Sequence, residues 1–116
     1  MNIFEAANKG NINRISELLA SGIDINSIDK NGISPLIYSV KYTNKTSSLE
    51  TVKLLLHYGA NINLITNKGY NALITAACFS NTTSSLETVK LLLDRGANVN
   101  STNNAGWTAL NFVGRY

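Results

Sequence analysis

Two stretches of the chain, SSLETVKLLLHYG at 47–59 and SSLETVKLLLDRG at 84–96, place apolar residues at offsets of three and four. Leu49, Val52, Leu55 and Leu56 in one, and Leu86, Val89, Leu92 and Leu93 in the other, therefore share a helical face. Ser47 and Ser84 stand three residues before Glu50 and Glu87. That is the spacing of a capping box, in which serine and glutamate satisfy the unpaired N–H groups of a first turn, so the helices are predicted to start there. Gly59 and Gly96 follow the last apolar positions, where a left-handed residue ends a helix at low cost. A shorter helix precedes each of these, marked by Pro35-Leu36 and by Ala72-Leu73. Pro35 suits a first turn, because its missing N–H would have had no helical partner. The segments 26–32, 63–69 and 100–106 are rich in Asn, Asp, Thr and Gly and read as turns.

The pattern repeats. Gly22, Gly59 and Gly96 are 37 residues apart, as are Gly32, Gly69 and Gly106, and Asn26, Asn63 and Asn100. Ile12, Leu49 and Leu86 follow suit, with Ile15, Val52 and Val89, then Leu18, Leu55 and Leu92, then Leu19, Leu56 and Leu93. A helix pair of this size cannot bury both faces alone; stacked units close a continuous core and touch only their neighbours.

Composition narrows the function classes. The hydrophobic fraction of 44% excludes a disordered chain, and 116 residues allow one compact domain. Ten Lys and Arg against seven Asp and Glu leave a net charge of +3, short of the dense positive patch of a nucleic-acid binder. A single cysteine forms no internal disulfide and gives no reason to expect an oxidising compartment. No apolar run approaches the roughly 20 residues of a membrane span. The start, Met1-Asn2-Ile3-Phe4-Glu5, lacks a basic segment followed by an apolar one, so no secretory signal is expected. Together these point to a soluble intracellular protein.

Catalytic chemistry finds no footing. His57 is the only histidine, expected on the outer surface of its helix, and Cys78 lies in another unit. They make neither a metal-ligand spacing nor a nucleophile–base pair. The glycines follow the repeat instead of a phosphate-loop pattern, Glu50 and Glu87 are assigned to caps, and Asp24 and Asp29 fall in turns. No enzyme, cofactor, metal or small-molecule substrate is expected. Asn44-Lys45-Thr46 and Asn81-Thr82-Thr83 fit the N-glycosylation sequon, but without a signal sequence they are expected to stay unmodified.

These residues resemble the ankyrin repeat, whose pattern runs approximately D-x-x-G-x-T-P-L-H-x-A-A, a short link, then I-V-x-L-L-L-x-x-G-A-D-V-N. Here the stretch from Asp29 reads DKNGISPLIYSV, and the later halves read TVKLLLHYGANIN and TVKLLLDRGANVN. The resemblance implies an all-α ankyrin-repeat solenoid of stacked helix-turn-helix units linked by turn or hairpin loops. It divides the chain into units of about 1–28, 29–65 and 66–102 with a partial unit at 103–116. The family's usual Thr is Ser34 or Asn71 here and its His is Ile37 or Ile74, which weakens the bracing of the turn. Four extra residues separate the helices of the two middle units. The inserts TNKTSS at 43–48 and SNTTSS at 80–85 are poor helix formers, expected to form lengthened loops stacked along one edge.

By the same resemblance, function resides in turn tips and in the exposed face of the first helices. The tip positions are Lys30, Asn31 and Ile33; Asn67, Lys68 and Tyr70; Asn104, Ala105 and Trp107. Ile33, Tyr70 and Trp107 hold one repeat position and are expected to align in an apolar stripe, with Tyr70 and Trp107 substantially exposed. Tyr38, Lys41, Tyr42, Cys78 and Phe79 are expected beside it on the concave side; whether the inserts fold over Tyr42 and Phe79 stays open. Such aromatic positions suit an interface with a protein partner. Nucleic-acid binding would require Lys30, Lys41, Lys45 and Lys68 to converge, and membrane binding has no support. At the C-terminal end Leu110, Phe112 and Val113 mark a last helix with no partner helix after it, which leaves self-association into a homo-oligomer as the alternative role. Short proteins of this kind occur in large DNA viruses, intracellular bacteria and eukaryotes, so the resemblance implies a cytoplasmic or other intracellular place, the host cytosol included.

Overall fold

The computed structural model describes residues 1–43, 45–80 and 84–114. Its helices are α1 (Ile3–Lys9), α2 (Ile12–Ala20), α3 (Pro35–Lys41), α4 (Leu49–His57), α5 (Ala72–Cys78), α6 (Leu86–Asp94) and α7 (Ala109–Gly114), with no strand among the described residues. The first six form three pairs, and each second helix packs on the first helix of its own pair. The first helices pack in a row, α1 on α3, α3 on α5 and α5 on α7. The result is an all-helical solenoid of 40 × 24 × 22 Å.

Side-chain size explains the row. The inward faces of α1 and α5 carry Ala6, Ala7, Ala72, Ala76 and Ala77, all fully buried, so neighbouring backbones approach closely. Leu36, Val40, Val52, Leu55, Leu73, Ile74 and Leu92 fill the remaining space. Burying each such side chain contributes about 1.5–3 kcal/mol.

Every one of the first six helices begins at an Asn or Ser whose side chain accepts from the N–H three residues on. This corrects the expected capping. The caps of α4 and α6 are Ser48 and Ser85, which accept from Thr51 N and Thr88 N, and not Ser47 and Ser84. Paired serines offer both registers, and the threonines decide between them: Thr51 Oγ1 lies 3.3 Å from Ser48 Oγ, and Thr88 Oγ1 lies 3.0 Å from Ser85 Oγ. Glu50 is therefore no cap. It is exposed and pairs with Lys53 at 3.5 Å. Glu87 is exposed likewise. A reciprocal box does occur at the start of α7, where Thr108 and Asn111 each accept the other's N–H.

Pro35 takes the first-turn position expected of it. At the far ends Gly59 and Gly96 adopt φ of 93° and 86°. The N–H groups of Ala60 and Ala97 then return to the carbonyls of Leu55 and Leu92, closing each helix.

The first insert gathers around one carbonyl: Tyr42 O accepts from the N–H groups of Lys45, Thr46 and Ser47. Thr46 Oγ1 donates to Asn8 O in the preceding unit, at 2.7 Å. Thr43 Oγ1 lies 3.1 Å from Ser84 Oγ and 3.0 Å from Thr88 Oγ1 in the following one. Sequon residues Asn44, Asn81, Thr82 and Thr83 lie outside the described residues.

Candidate functional site

The turn tips are built on one acceptor per unit. Asp29, Thr66 and Asn103 hold the same repeat position, and each accepts from two backbone N–H groups, two and four residues on. The second of those donors is Ile33, Tyr70 or Trp107, so one acceptor sets the direction in which each stripe residue leaves its tip. Adjacent tips are then joined. Asn67 donates from its backbone N–H to Asn31 O at 3.0 Å and from Nδ2 to Lys30 O at 3.1 Å. Asn104 repeats the pattern toward Lys68 O and Asn67 O, both at 3.0 Å. The amides of Asn67 and Asn104 thus connect one unit to the next, although both residues are exposed.

A groove of about 390 Å³ runs between the first two tips and the helices α3 and α5. It brings together Asn31, Ile33, Lys41, Asn67, Lys68, Tyr70 and Phe79 from the sequence-derived set. Its wall also includes Ile37, Thr66 and Thr75, which sequence reasoning did not select. Ile37 could have been found, since it stands four residues before Lys41 on α3 and so shares its face. Lys41 Nζ lies 4.9 Å from the centroid of the Phe79 ring and 5.3 Å from that of Tyr42, so two aromatic faces hold the ammonium. Tyr42 and Phe79 are half-buried.

Tyr70 departs from expectation: it is half-buried. The cause is Phe112 of α7, a buried side chain whose ring centroid lies 6.0 Å from that of Tyr70 and 4.9 Å from that of Trp107. Trp107 keeps 39% of its surface exposed, and Ile33 is half-buried. Phe112 thus supports the stripe from below.

Tyr38 faces a second recess, of about 320 Å³, with Phe4, Glu5, Asn8 and Asp29. Its hydroxyl donates to the second oxygen of the Asp29 carboxylate, and its ring packs on Phe4 at 5.9 Å. Burial draws the Asp29 carboxyl upward, but the hydrogen bonds from Tyr38 and from the Ile33 and Asn31 N–H groups, with the charge of Lys30, outweigh it and hold it below its ordinary value. The Asp29 bond, reinforced by burial, pushes the Tyr38 phenol up to about 12. Lys30 and Ala105 are exposed at their tips, and Cys78 is half-buried at the end of α5. His57 is exposed, its ring 5.3 Å from Tyr58. Among the described residues no helix is long and apolar enough to cross a membrane, and no three His, Cys, Asp or Glu cluster as a metal site would require.

The family model for ankyrin repeats in three copies matches residues 3–103. The chain belongs to the ankyrin-repeat family. It is 46% identical over 44 residues to an ankyrin repeat protein of fowlpox virus (strain NVSL), a stretch that is 38% of this chain and 31% of that protein. The chain spans about a third of the length of the curated relative it matches. Ankyrin repeats are in general non-catalytic modules for protein–protein interaction.

Proposed function

We propose that this chain is a non-catalytic module that binds a partner protein through its turn tips and the concave face of its first helices. The observation that supports the reading is the groove itself. Two tips and two first helices bound it, Ile33 and Tyr70 line it, and Phe112 holds Tyr70 and Trp107 in place. A preformed surface of this kind loses little ordering entropy when a partner docks.

The test compares capture of partners from cytosolic lysate by the native chain and by an Ile33→Ser, Tyr70→Ser, Trp107→Ser variant. The variant must first match the native helical spectrum. A protein held by the native chain and lost by the variant supports the reading, and equal capture by both removes the stripe from it. Direct binding of single-stranded nucleic acid, with an affinity that falls steeply as salt rises, would point to nucleic acid in its place.

A second reading, assembly with another copy of the chain, is favoured by the apolar surface at the C-terminal end. Leu86 is 59% exposed there, and Leu93, Val99 and Leu110 are exposed as well. A light-scattering mass that stays monomeric at high concentration would remove it.

A further inference from the structure

We infer that the groove between the first two tips takes an extended segment of a partner protein that carries a carboxylate beside a bulky apolar side chain, with a cationic residue about three positions away. The inference rests on the protein-binding reading above and specifies the chemistry of its partner.

Lys41 and Lys68 enter the same groove from different units, one from α3 and one from the second tip. The ion pairs among the described residues are Arg14–Glu17 and Lys53–Glu50, so neither groove lysine has a carboxylate at ion-pair distance among those residues. Lys41 is half-buried and lies over two rings. Those rings fix its position and strip away part of its water without neutralising it. An ammonium held in this way is preorganised for an anion. The apolar wall of Ile33, Ile37 and Tyr70 beside it demands a large apolar neighbour on the same ligand.

The next recess along the concave face has the opposite sign. Glu5 and Asp29 line it, between α1 and α3. A nucleic-acid strand laid along the array would carry phosphate onto Glu5, whereas a polypeptide can change sign between one recess and the next. Neighbouring packed helices stand about 8–10 Å apart, and an extended chain rises about 3.3 Å per residue. The carboxylate and the cation of the segment are therefore about three residues apart.

The experiment selects random 12-residue peptides displayed on phage against the full chain, then measures the affinity of the enriched peptides as synthetic molecules. Enriched peptides are expected to carry Asp or Glu next to Leu, Ile, Phe or Trp, with Lys or Arg about three positions off. Affinity is expected to fall at least tenfold with Lys68→Glu and with Lys41→Met, which keeps the stem over the rings. Replacing the peptide carboxylate by lysine is expected to restore binding to the Lys68→Glu chain. Peptides without a carboxylate, no enrichment at all, or binding indifferent to both lysine substitutions would overturn the inference. So would a single-stranded 20-nucleotide DNA probe that binds the native chain and is lost with the same substitutions. Binding that is lost with Tyr70→Ser but not with the lysine substitutions would leave the protein-binding reading standing and remove the charge from it.

Discussion

Asn67 lies so close beneath Gly32 that a Cβ on that glycine would stand 2.6 Å from its Oδ1 and 2.9 Å from its backbone nitrogen. Gly69 and Asn104 repeat the relationship one unit on, at 2.6 and 3.0 Å. The approach is what allows the asparagine to bond the preceding tip. It also makes two demands on one position, a positive φ of 76° and the absence of a side chain.

Gly32→Ala is therefore expected to be more destabilising than Gly59→Ala. Gly59 has φ of 93° but nothing within 4 Å of an added Cβ, so it bears only the backbone cost, about 1–2 kcal/mol. Gly32→Ala adds to that a displacement of the Asn67 backbone. Urea unfolding of both variants checks the order, and equal losses would refute it.

Asn67→Ala and Asn104→Ala each remove one side-chain bond between tips. Each is expected to lower stability by about 1 kcal/mol. Amide hydrogen exchange at the adjoining tips should accelerate in the same variants, and unchanged protection would show that the backbone bonds suffice.

Serine order at the second helices provides a direct check of the cap. Ser48→Ala removes the acceptor of Thr51 N and is expected to cost about 1 kcal/mol. Ser47→Ala removes a hydroxyl that is buried and has no hydrogen-bond partner among the described residues, so it is expected to be neutral or slightly stabilising. Thermal melts of the two variants that came out in the opposite order would return the cap to Ser47.

The Asp29–Tyr38 bond has a pH signature at both ends of the scale. Asp29 is held below its ordinary value of about 3.9, so its contribution is full above that pH and is lost as pH falls through the lowered value. Tyr38 is raised from 10.0 to about 12, so its contribution is full below pH 10 and is lost as pH rises through 12. Tyr38→Phe breaks the bond at every pH. The difference in melting temperature between native chain and variant is expected to hold steady from pH 5 to 9 and to shrink toward pH 12 and below about pH 4. A difference that stays constant across the range would count against the bond.

The helix pairs were legible because their signals are local and are written three times. Glycines at 22, 59 and 96 and apolar positions in step with them admit few other foldings. Cap register was not legible at Ser47-Ser48, because either serine satisfies the helical pattern and the choice falls to the hydroxyl of Thr51. Nor was the support of Tyr70, since Phe112 lies 42 residues away and reaches it only once α7 has packed on α5. The role of Asp29 was within reach: Asp, Thr and Asn recur four residues before Ile33, Tyr70 and Trp107, and all three side chains can accept a hydrogen bond. What hid it was the change of residue type, which conceals a shared function behind three different names.

The joints between tips span 37 residues in both instances, from Lys30 to Asn67 and from Asn67 to Asn104. Asn67 is donor to the tip before it and acceptor for the tip after it, so the unit at 66–102 contains both halves of the connector. Inserting a further copy of that unit would regenerate the joint on both of its sides with the same atoms. Array length can thus grow by that unit without any new joint having to evolve.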